Sequence, residues 1–170
     1  MRFEIVQAAS DHEPVLAALA ELYQYDFTEF SGEDVGDDGR FGSDFLARYW
    51  TEPSRYAYLA KADSKLAGFA LVRRGSSFDT PDVWDMVEFF VMRKYRRTGL
   101  GRYMAHTIFD RLGGAWEVRE IAANPPAQAF WRRIIGEYTD GRYSERTYDD
   151  ERWRGPVQAF DTGRPSASVR

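Results

Sequence analysis

The alternation and spacing of hydrophobic residues along this chain predict strands and helices in a mixed order. In the first half, alternation predicts a strand over residues 2–7, and helical spacing predicts a helix over 13–25. A short helix is predicted over 43–50, after a glycine-rich interruption. Two strand-like runs, 56–61 and 65–74, are separated by a short polar turn, and the simplest interpretation of them is a hairpin.

The second half carries the longest predicted strand, residues 83–92, which is apolar on both faces and therefore suits the centre of a sheet. Regular alternation would place five of its side chains on one face: Trp84, Met86, Glu88, Phe90 and Met92. The elements predicted after it are a helix over 98–112, a strand over 116–122, a helix over 124–135, and closing strands over 138–143 and 156–160.

This order of elements predicts a mixed α/β fold. Its centre would be a mostly antiparallel, twisted sheet of about six or seven strands with helices on both faces. Residues 1–160 are expected to form a single domain, because a chain of 170 residues fits one hydrophobic core. Residues 161–170 are expected to be a flexible tail.

The composition excludes several classes of function. A net charge of −4 argues against a general nucleic-acid binder. The absence of cysteine excludes a disulfide framework, a thiolate metal site and a cysteine nucleophile. Because His12 and His106 lack metal-ligand spacing, no metal is expected. No apolar run is long enough for a membrane span or a signal sequence, so we expect a cytoplasmic protein without a membrane partner.

Residues 27–41, called the acidic loop below, interrupt the helical pattern with glycines and carboxylates. Such a segment is typical of a mobile, solvated loop. We hypothesise that its carboxylates attract a cationic molecule toward a nearby site. The residues that would carry this effect are Glu33, Asp34, Asp37 and Asp38.

A phosphate-binding site is predicted where the 83–92 strand meets the next helix. If that helix begins near Thr98 or Gly99, its first N–H groups lack carbonyl partners, and the helix dipole adds positive potential. Gly99 and Gly101 carry no Cβ and allow close approach to the backbone. Basic residues surround the turn: Arg93, Lys94, Arg96, Arg97 and Arg102. A phosphate is the natural ligand of such a helix start.

Two motifs in this region resemble those of a known superfamily. The run Arg96-Arg97-Thr98-Gly99-Leu100-Gly101 resembles the R-x-x-G-x-G acetyl-coenzyme A signature of the GCN5-related N-acetyltransferases. A second segment resembles that family's N-x-x-A-x-x-F-Y pattern through Asn124, Ala127, Phe130 and Trp131. A dinucleotide fingerprint fails because Met104 stands where its third glycine would be, and a P-loop fails for lack of Gly-Lys-Ser/Thr. The resemblance covers residues 2–160 and is nearest to a bacterial predicted-acetyltransferase group.

The resemblance implies direct transfer of an acetyl group from acetyl-coenzyme A to a primary amine within a ternary complex. It also implies that the pantetheine arm pairs with the strand at Phe89, Phe90 and Val91, and that an N–H near Phe90 or Val91 polarises the acetyl carbonyl. The other implied cofactor-binding residues are Arg96, Arg97, Thr98, Gly99, Leu100, Gly101, Arg102, Asn124, Phe130 and Trp131.

Glu88 is the first candidate for the general base, because burial in an otherwise apolar strand would raise its pKa. The alternative interpretation pairs it with an arginine of the basic turn. Family members place the base on either of two strands, which makes Asp85, Glu117 and Glu120 further candidates.

The general acid is left open by the sequence. Trp131 stands where the family commonly has a tyrosine, and its indole N–H does not serve as an acid. Tyr138, Tyr143 or water would then protonate the thiolate.

Two other functions fit the pattern. A non-catalytic acyl-coenzyme A binding or sensing module would keep the phosphate site without proton transfer. A nucleic-acid binder would use the basic turn with Tyr95 and Tyr103, although the negative net charge of the chain disfavours this function. The identity of the acceptor and the choice between monomer and homodimer are left open, and a small cationic amine is the expected acceptor.

Overall fold

Seven strands form one sheet in the computed structural model, which describes residues 1–76, 78 and 80–169. The order across the sheet is β1-β2-β3-β4-β5-β7-β6, and only β4 and β5 pair in parallel. The strands are β1 (Phe3–Gln7), β2 (Arg55–Ala62), β3 (Lys65–Arg74), β4 (Val83–Val91), β5 (Ala115–Arg119), β6 (Tyr143–Asp149) and β7 (Arg154–Asp161).

Helices cover both faces of the sheet. They are α1 (Glu13–Ser31), the single-turn α2 (Arg48–Thr51), α3 (Leu100–Leu112) and α4 (Pro125–Thr139). One hydrophobic cluster joins α3 and α4 to the sheet and contains Trp84, Met104, Phe109, Trp116 and Ile134. The other cluster joins α1 and α2 to the opposite face and contains Leu16, Leu46, Phe69, Leu71 and Phe90. The predicted α/β fold is therefore confirmed, with its mostly antiparallel sheet between two helical layers.

The strand predicted over 116–122 ends already at Arg119, and two helix ends were also predicted wrongly. Helix α1 runs on to Ser31, so the start of the acidic loop is helical, and the helix ends at Gly32 with a left-handed φ of 70°. Tyr138, expected in a closing strand, belongs to α4, and β6 begins only at Tyr143. In both places the apolar helical spacing continues past the predicted end. Ser77 and Asp79, between the strands predicted over 65–74 and 83–92, lie outside the described part of the chain.

Strand β4 contains a β-bulge. Leu71 of β3 lies opposite Glu88, whereas Val72 lies opposite Met86, which leaves Val87 as the extra residue. The bulge reverses the alternation of side chains beyond it. Met86 packs in the cluster of α3 and α4, but Phe90 packs in the cluster of α1 and α2. Glu88 and Phe90 therefore share a face, as predicted, whereas Met86, which was predicted to share it, lies on the opposite face.

Strands β4 and β5 separate halfway along β4. Their parallel pairing ends at Met86 opposite Val118, while β4 continues beside β3 as far as Val91 opposite Gly68. From Val87 to Val91 the β5 side of β4 therefore has no partner strand. This separation leaves a gap in the middle of the sheet.

The residues after β7 make defined contacts in the segment that was predicted to be a flexible tail. The Ala167 N–H donates to the Leu112 carbonyl at 2.7 Å, and the Trp84 indole donates to the Ser166 hydroxyl at 3.0 Å. A Cβ on Gly113 would lie 2.1 Å from the Pro165 carbonyl oxygen, so this packing requires glycine. Residues as far as Ala167 therefore pack on the domain, and Arg170 lies outside the described residues.

Candidate active site

A cleft of about 820 Å³ occupies the gap between β4 and β5. Its walls come from the last turns of α1, the exposed half of β4, the first turns of α3 and α4, and the turn before β7. One end of the cleft, called the phosphate half below, is formed by the start of α3 and the open edge of β4 at Phe89 and Val91. The other end, called the aromatic half, is formed by Tyr23, Phe27, Phe30, Glu88 and Trp153.

The start of α3 offers unpaired backbone donors to the cleft. Gly99 is the N-cap residue with φ of 93°, and no side chain caps the helix. The N–H groups of Leu100, Gly101 and Arg102 precede the first intrahelical hydrogen bond, which Tyr103 donates to Gly99 at 3.0 Å. The unpaired N–H groups and the positive end of the α3 dipole both favour the binding of an anion.

Gly101 allows α3 and α4 to approach each other. A Cβ at this position would lie 3.1 Å from two ring carbons of Phe130, which is tighter than ordinary contact. The sequence interpretation assigned this glycine to the approach of a ligand. In the structure, a Cβ on Gly101 would first meet the Phe130 ring. The glycine therefore also makes room for this ring, which forms a wall of the phosphate half.

The basic residues of the turn divide into engaged and free cations. Arg93 and Arg96 both bind the Asp26 carboxylate of α1, and Arg96 Nε also donates to the Val91 carbonyl at 2.9 Å. Burial would raise the pKa of Asp26, but hydrogen bonds from the two arginines outweigh burial and lower it. Arg102 pairs with Glu137 at 2.9 Å. These arginines hold the walls of the cleft together.

Two cations at the cleft carry no ion pair among the described residues. Arg97 is exposed in the turn before α3, with a left-handed φ of 63°, and Arg133 lies on α4. Both line the cleft. They are the positive charges available to an incoming phosphate.

The open edge of β4 presents backbone groups to the cleft. Met92 donates its N–H to Ala67 of β3 at 2.9 Å, and groups two residues apart on a strand point the same way. The N–H of Phe90 therefore faces β3, while those of Phe89 and Val91 face the gap. The Val91 carbonyl agrees with this direction, because it accepts from Arg96. Of the two residues expected to polarise an acetyl carbonyl, only Val91 has its N–H on the cleft side.

Glu88 lies in the aromatic half because the bulge at Val87 turns its side chain toward α1. The Tyr23 hydroxyl donates to Glu88 Oε2. Burial raises the pKa of Glu88 to about 7, against the lowering effects of the Tyr23 hydrogen bond and of Arg119. A carboxyl with this pKa exchanges a proton readily at neutral pH. The alternative interpretation, an ion pair with the basic turn, is absent from the ion pairs of the described residues.

The other carboxylates proposed as bases are otherwise engaged. Asp85 is fully buried, and its Oδ2 accepts from Arg73 at 2.8 Å and from Arg119 at 3.0 Å. Glu117 accepts from the Ser76 hydroxyl. Glu120 is the exception, because it lines the cleft, but both of its carboxyl oxygens are inaccessible to solvent, and burial raises its pKa to about 8. Among these four candidates, the geometry favours Glu88.

The tyrosines considered as general acids lie away from the cleft. The Tyr138 hydroxyl donates to Asp110 of α3 at 2.8 Å, and burial and this aspartate raise its pKa to about 12. Tyr143 packs beside Gly136. Neither residue lines the cleft, so their placement does not favour a role in proton transfer.

Residues of the second motif form one side of the phosphate half. Asn124 caps α4 by accepting from the Ala127 N–H at 3.1 Å and also lines the cleft. Trp131 is almost fully buried, with its ring 4.8 Å from that of Phe89. Phe130 packs 5.7 Å from Phe89. The cofactor contacts predicted for this motif stay predictions, and its structural role is to support the wall.

The sequence analysis missed the aromatic half. Tyr23, Phe27 and Phe30 follow one another along α1, with neighbouring ring centroids 5.7 and 5.9 Å apart. Trp153 lies near the other wall, with the Arg119 guanidinium 4.7 Å from its ring centroid. The i, i+4, i+7 spacing of the α1 aromatics was the available signal, and it was lost because the helix was expected to end at Tyr25.

The part of the acidic loop that is helical lines the cleft through Phe27, Glu29 and Phe30. None of its four proposed steering carboxylates does. Within the described part of the chain, no group of three or more histidine or acidic residues could hold a metal ion. No helix of the described chain is long and apolar enough to cross a membrane.

Comparisons with known proteins show the family and the fold of the chain. The model of the acetyltransferase (GNAT) family matches residues 16–136 of the chain. The fold is similar to that of the ribosomal-protein-S18-alanine N-acetyltransferase from Escherichia coli, with 16% identity, 99% of each chain covered and a TM-score of 0.61. No curated protein sequence matches significantly.

Two further structures share the fold. The PaiA N-acetyltransferase from Thermoplasma acidophilum, solved with coenzyme A, has 13% identity over 95% of this chain and 99% of that one, with a TM-score of 0.59. An aminoglycoside acetyltransferase from an uncultured soil metagenomic sample, solved with sisomicin, has 15% identity over 78% and 86%, with a TM-score of 0.57.

Proposed function

Because this chain belongs to the acetyltransferase (GNAT) family, we propose that it transfers the acetyl group of acetyl-coenzyme A directly to a primary amine within a ternary complex. The observation that carries the proposal is the meeting of two features in one cleft. An uncapped helix start and an open strand edge lie at one end, and the ionisable carboxyl of Glu88 lies at the other.

The phosphate half fits the cofactor. The pyrophosphate would accept hydrogen bonds from the N–H groups at the start of α3, with Arg97 supplying positive charge. The pantetheine amides would pair with the open edge of β4 in the manner of an added strand. The Val91 N–H, which faces the gap, would then donate to the acetyl carbonyl oxygen as negative charge develops there.

The aromatic half fits the acceptor. A protonated amine would enter beside Glu88, which takes a proton from the ammonium group and leaves a neutral nitrogen for attack on the acetyl carbon. The C–S bond then breaks, and the second proton that the attacking nitrogen must lose passes through water to the leaving thiolate, since neither Tyr138 nor Tyr143 lines the cleft. The chain has no cysteine that could carry the acetyl group in between.

The side chains that line the aromatic half indicate the class of acceptor. Three aromatic rings on α1 and the indole of Trp153 suit an amine with an apolar body, and Glu29 and Glu88 suit its positive charge. The similar structures come from proteins named for the acetylation of an alanine and of aminoglycosides, both of which present amino groups. We therefore propose a small cationic amine carried on an apolar group.

The test is thiol release from acetyl-coenzyme A with a panel of amines. The panel contains phenethylamine, 1,4-diaminobutane, sisomicin and a short peptide beginning with alanine. Because the protein has no cysteine, a thiol reagent reports coenzyme A alone. We expect amine-dependent release, fastest with phenethylamine and lost in Glu88→Gln.

The runner-up function is a non-catalytic acyl-coenzyme A sensor. Calorimetry of acetyl-coenzyme A binding distinguishes it from the enzyme. Binding without turnover of any amine in the panel supports the sensor, and a failure to bind contradicts the assignment of the phosphate half.

A further inference from the structure

We infer that Tyr23 is the positioning residue of the candidate base: its hydroxyl holds the Glu88 carboxylate toward the cleft and stabilises its charged form. The inference rests on the proposed function, in which Glu88 takes the proton of the acceptor. Neither family motif contains Tyr23, which lies in the part of α1 that the sequence analysis did not connect with the site.

The ring of Tyr23 is held by three aromatic neighbours. Its centroid lies 5.7 Å from each of Phe27, Phe69 and Phe90, and the contact with Phe69 is edge-to-face. These neighbours come from α1, β3 and β4. A ring packed by three elements has little freedom, so its hydroxyl presents a fixed donor to Glu88 Oε2.

The bulge at Val87 supplies the other half of the contact. Without the extra residue, alternation would send the Glu88 side chain to the face of α3 and α4, together with Met86. With it, Glu88 reaches α1. The hydrogen bond therefore joins two features, a bulge and a helix turn, that lie 65 residues apart in the chain.

Charged and titratable groups act on Glu88 from each element packed around it. Burial and the nearby Asp85 favour the neutral acid, whereas the Tyr23 hydroxyl and Arg119 of β5 favour the carboxylate. Tyr49 of α2 is also close enough to feel the charge of Glu88, and Glu33 acts on Tyr23 from beyond α1. Burial and the Glu88 charge raise the pKa of Tyr23, so its hydroxyl keeps its proton and remains a donor.

The direct test is a carbon NMR titration of protein labelled at the glutamate δ-carboxyl, with Glu88→Gln assigning the signal. Tyr23→Phe keeps the packed ring and removes only the hydroxyl. We expect the Glu88 midpoint to rise by about one pH unit, the size typical of losing a hydrogen bond to a charged group. Tyr25→Phe, an exposed tyrosine on the same helix, is the matched control and should leave the midpoint unchanged.

An unchanged midpoint in folded Tyr23→Phe, checked by circular dichroism, overturns the inference. The titration requires neither cofactor nor acceptor. It therefore decides the role of Tyr23 even if no amine is turned over and the proposed function fails.

Kinetics with phenethylamine give a second measurement. In Tyr23→Phe, the acid limb of the kcat/KM profile should move to higher pH. We expect kcat/KM to be about tenfold lower than in the wild type at about pH 6 and to recover at high pH. KM for acetyl-coenzyme A should stay unchanged, because the phosphate half is untouched. A uniform loss at every pH with no shift of the limb would indicate packing alone and contradict the inference.

Discussion

The two halves of the cleft are built from different parts of the protein. The phosphate half uses backbone: unpaired N–H groups at the start of α3 and along the open edge of β4, all within one stretch of chain from Phe89 to Arg102. The aromatic half uses side chains from α1, β4 and the turn before β7, which are far apart in sequence.

Under the proposed function, this difference would separate cofactor binding from acceptor selection. The backbone donors would recognise what every acyl-coenzyme A shares, so their geometry would tolerate changes of side chain everywhere except at the glycines. The side chains from distant elements can change independently and would select the amine. Substitutions in the phosphate half should therefore change cofactor affinity, and those in the aromatic half should change turnover and acceptor preference.

The largest effect is expected from Glu88→Gln, which removes the proton acceptor and keeps the shape. We expect kcat/KM for the acceptor to fall about a thousandfold, within the usual range for loss of a general base. The acetyl-coenzyme A Kd measured by calorimetry should stay unchanged.

Glu117→Gln is the matched control for that experiment, because Glu117 bonds to Ser76 and does not line the cleft. It should retain activity. If both variants lose activity equally, or if Glu88→Gln weakens cofactor binding, the separation of the two halves is wrong.

Gly101→Ala tests the phosphate half. The added Cβ would lie 3.1 Å from the Phe130 ring and beside the free N–H groups of α3. We expect the acetyl-coenzyme A Kd to rise about tenfold, equivalent to about 1.4 kcal/mol. Gly136→Ala on α4 is the control, since its Cβ would meet Tyr143 at an ordinary 3.8 Å. Equal affinities of the two variants would contradict the assigned role of Gly101.

Glu120→Gln tests a second carboxyl with a raised pKa, one whose oxygens are both inaccessible to solvent. The folded protein holds the Glu120 pKa at about 8, above its usual 4.5, so the unfolded chain releases this proton at lower pH than the folded protein does. As the pH rises from about 4.5 to about 8, Glu120 therefore lowers the free energy of unfolding. We expect Glu120→Gln to unfold like the wild type at about pH 4.5 and to be more stable at about pH 8.5 by roughly 4 to 5 kcal/mol, measured by denaturant titration.

Acetyl transfer by Glu120→Gln should match the wild type, because burial alone does not make a carboxyl catalytic. The exposed Glu4 provides the control for stability, and Glu4→Gln should show no such pH dependence. A loss of turnover in Glu120→Gln without loss of stability would move the base to β5.

The smallest effect concerns the acidic loop. Neutralising Glu33, Asp34, Asp37 and Asp38 should raise the acceptor KM about twofold to threefold at low salt and not at high salt, since none of them lines the cleft. Steady-state kinetics at two ionic strengths measure this. Neutralising four exposed acids elsewhere, Glu4, Asp63, Asp140 and Asp161, is the control. Identical kinetics for both sets would remove the steering hypothesis.

Local patterns predicted much of the fold. The hairpin of β2 and β3, the helix α3 and the glycine turn before it all depend on residues close together in sequence, and the structure has them where they were expected. The helix ends were less predictable. Tyr138 was placed in a strand because the preceding helix was expected to end at 135, but α4 extends over it as far as Thr139.

The sequence by itself determined the helix start of the phosphate half, because an uncapped helix start after a glycine turn is a local structure of consecutive residues, whereas the open edge of β4 depends on its separation from β5. Only the tertiary structure decided the aromatic half. A single extra residue at Val87 sets the face of Glu88, and alternation does not reveal it. The contact between Tyr23 and Glu88 joins residues 65 positions apart, so it exists only once α1 packs against the sheet.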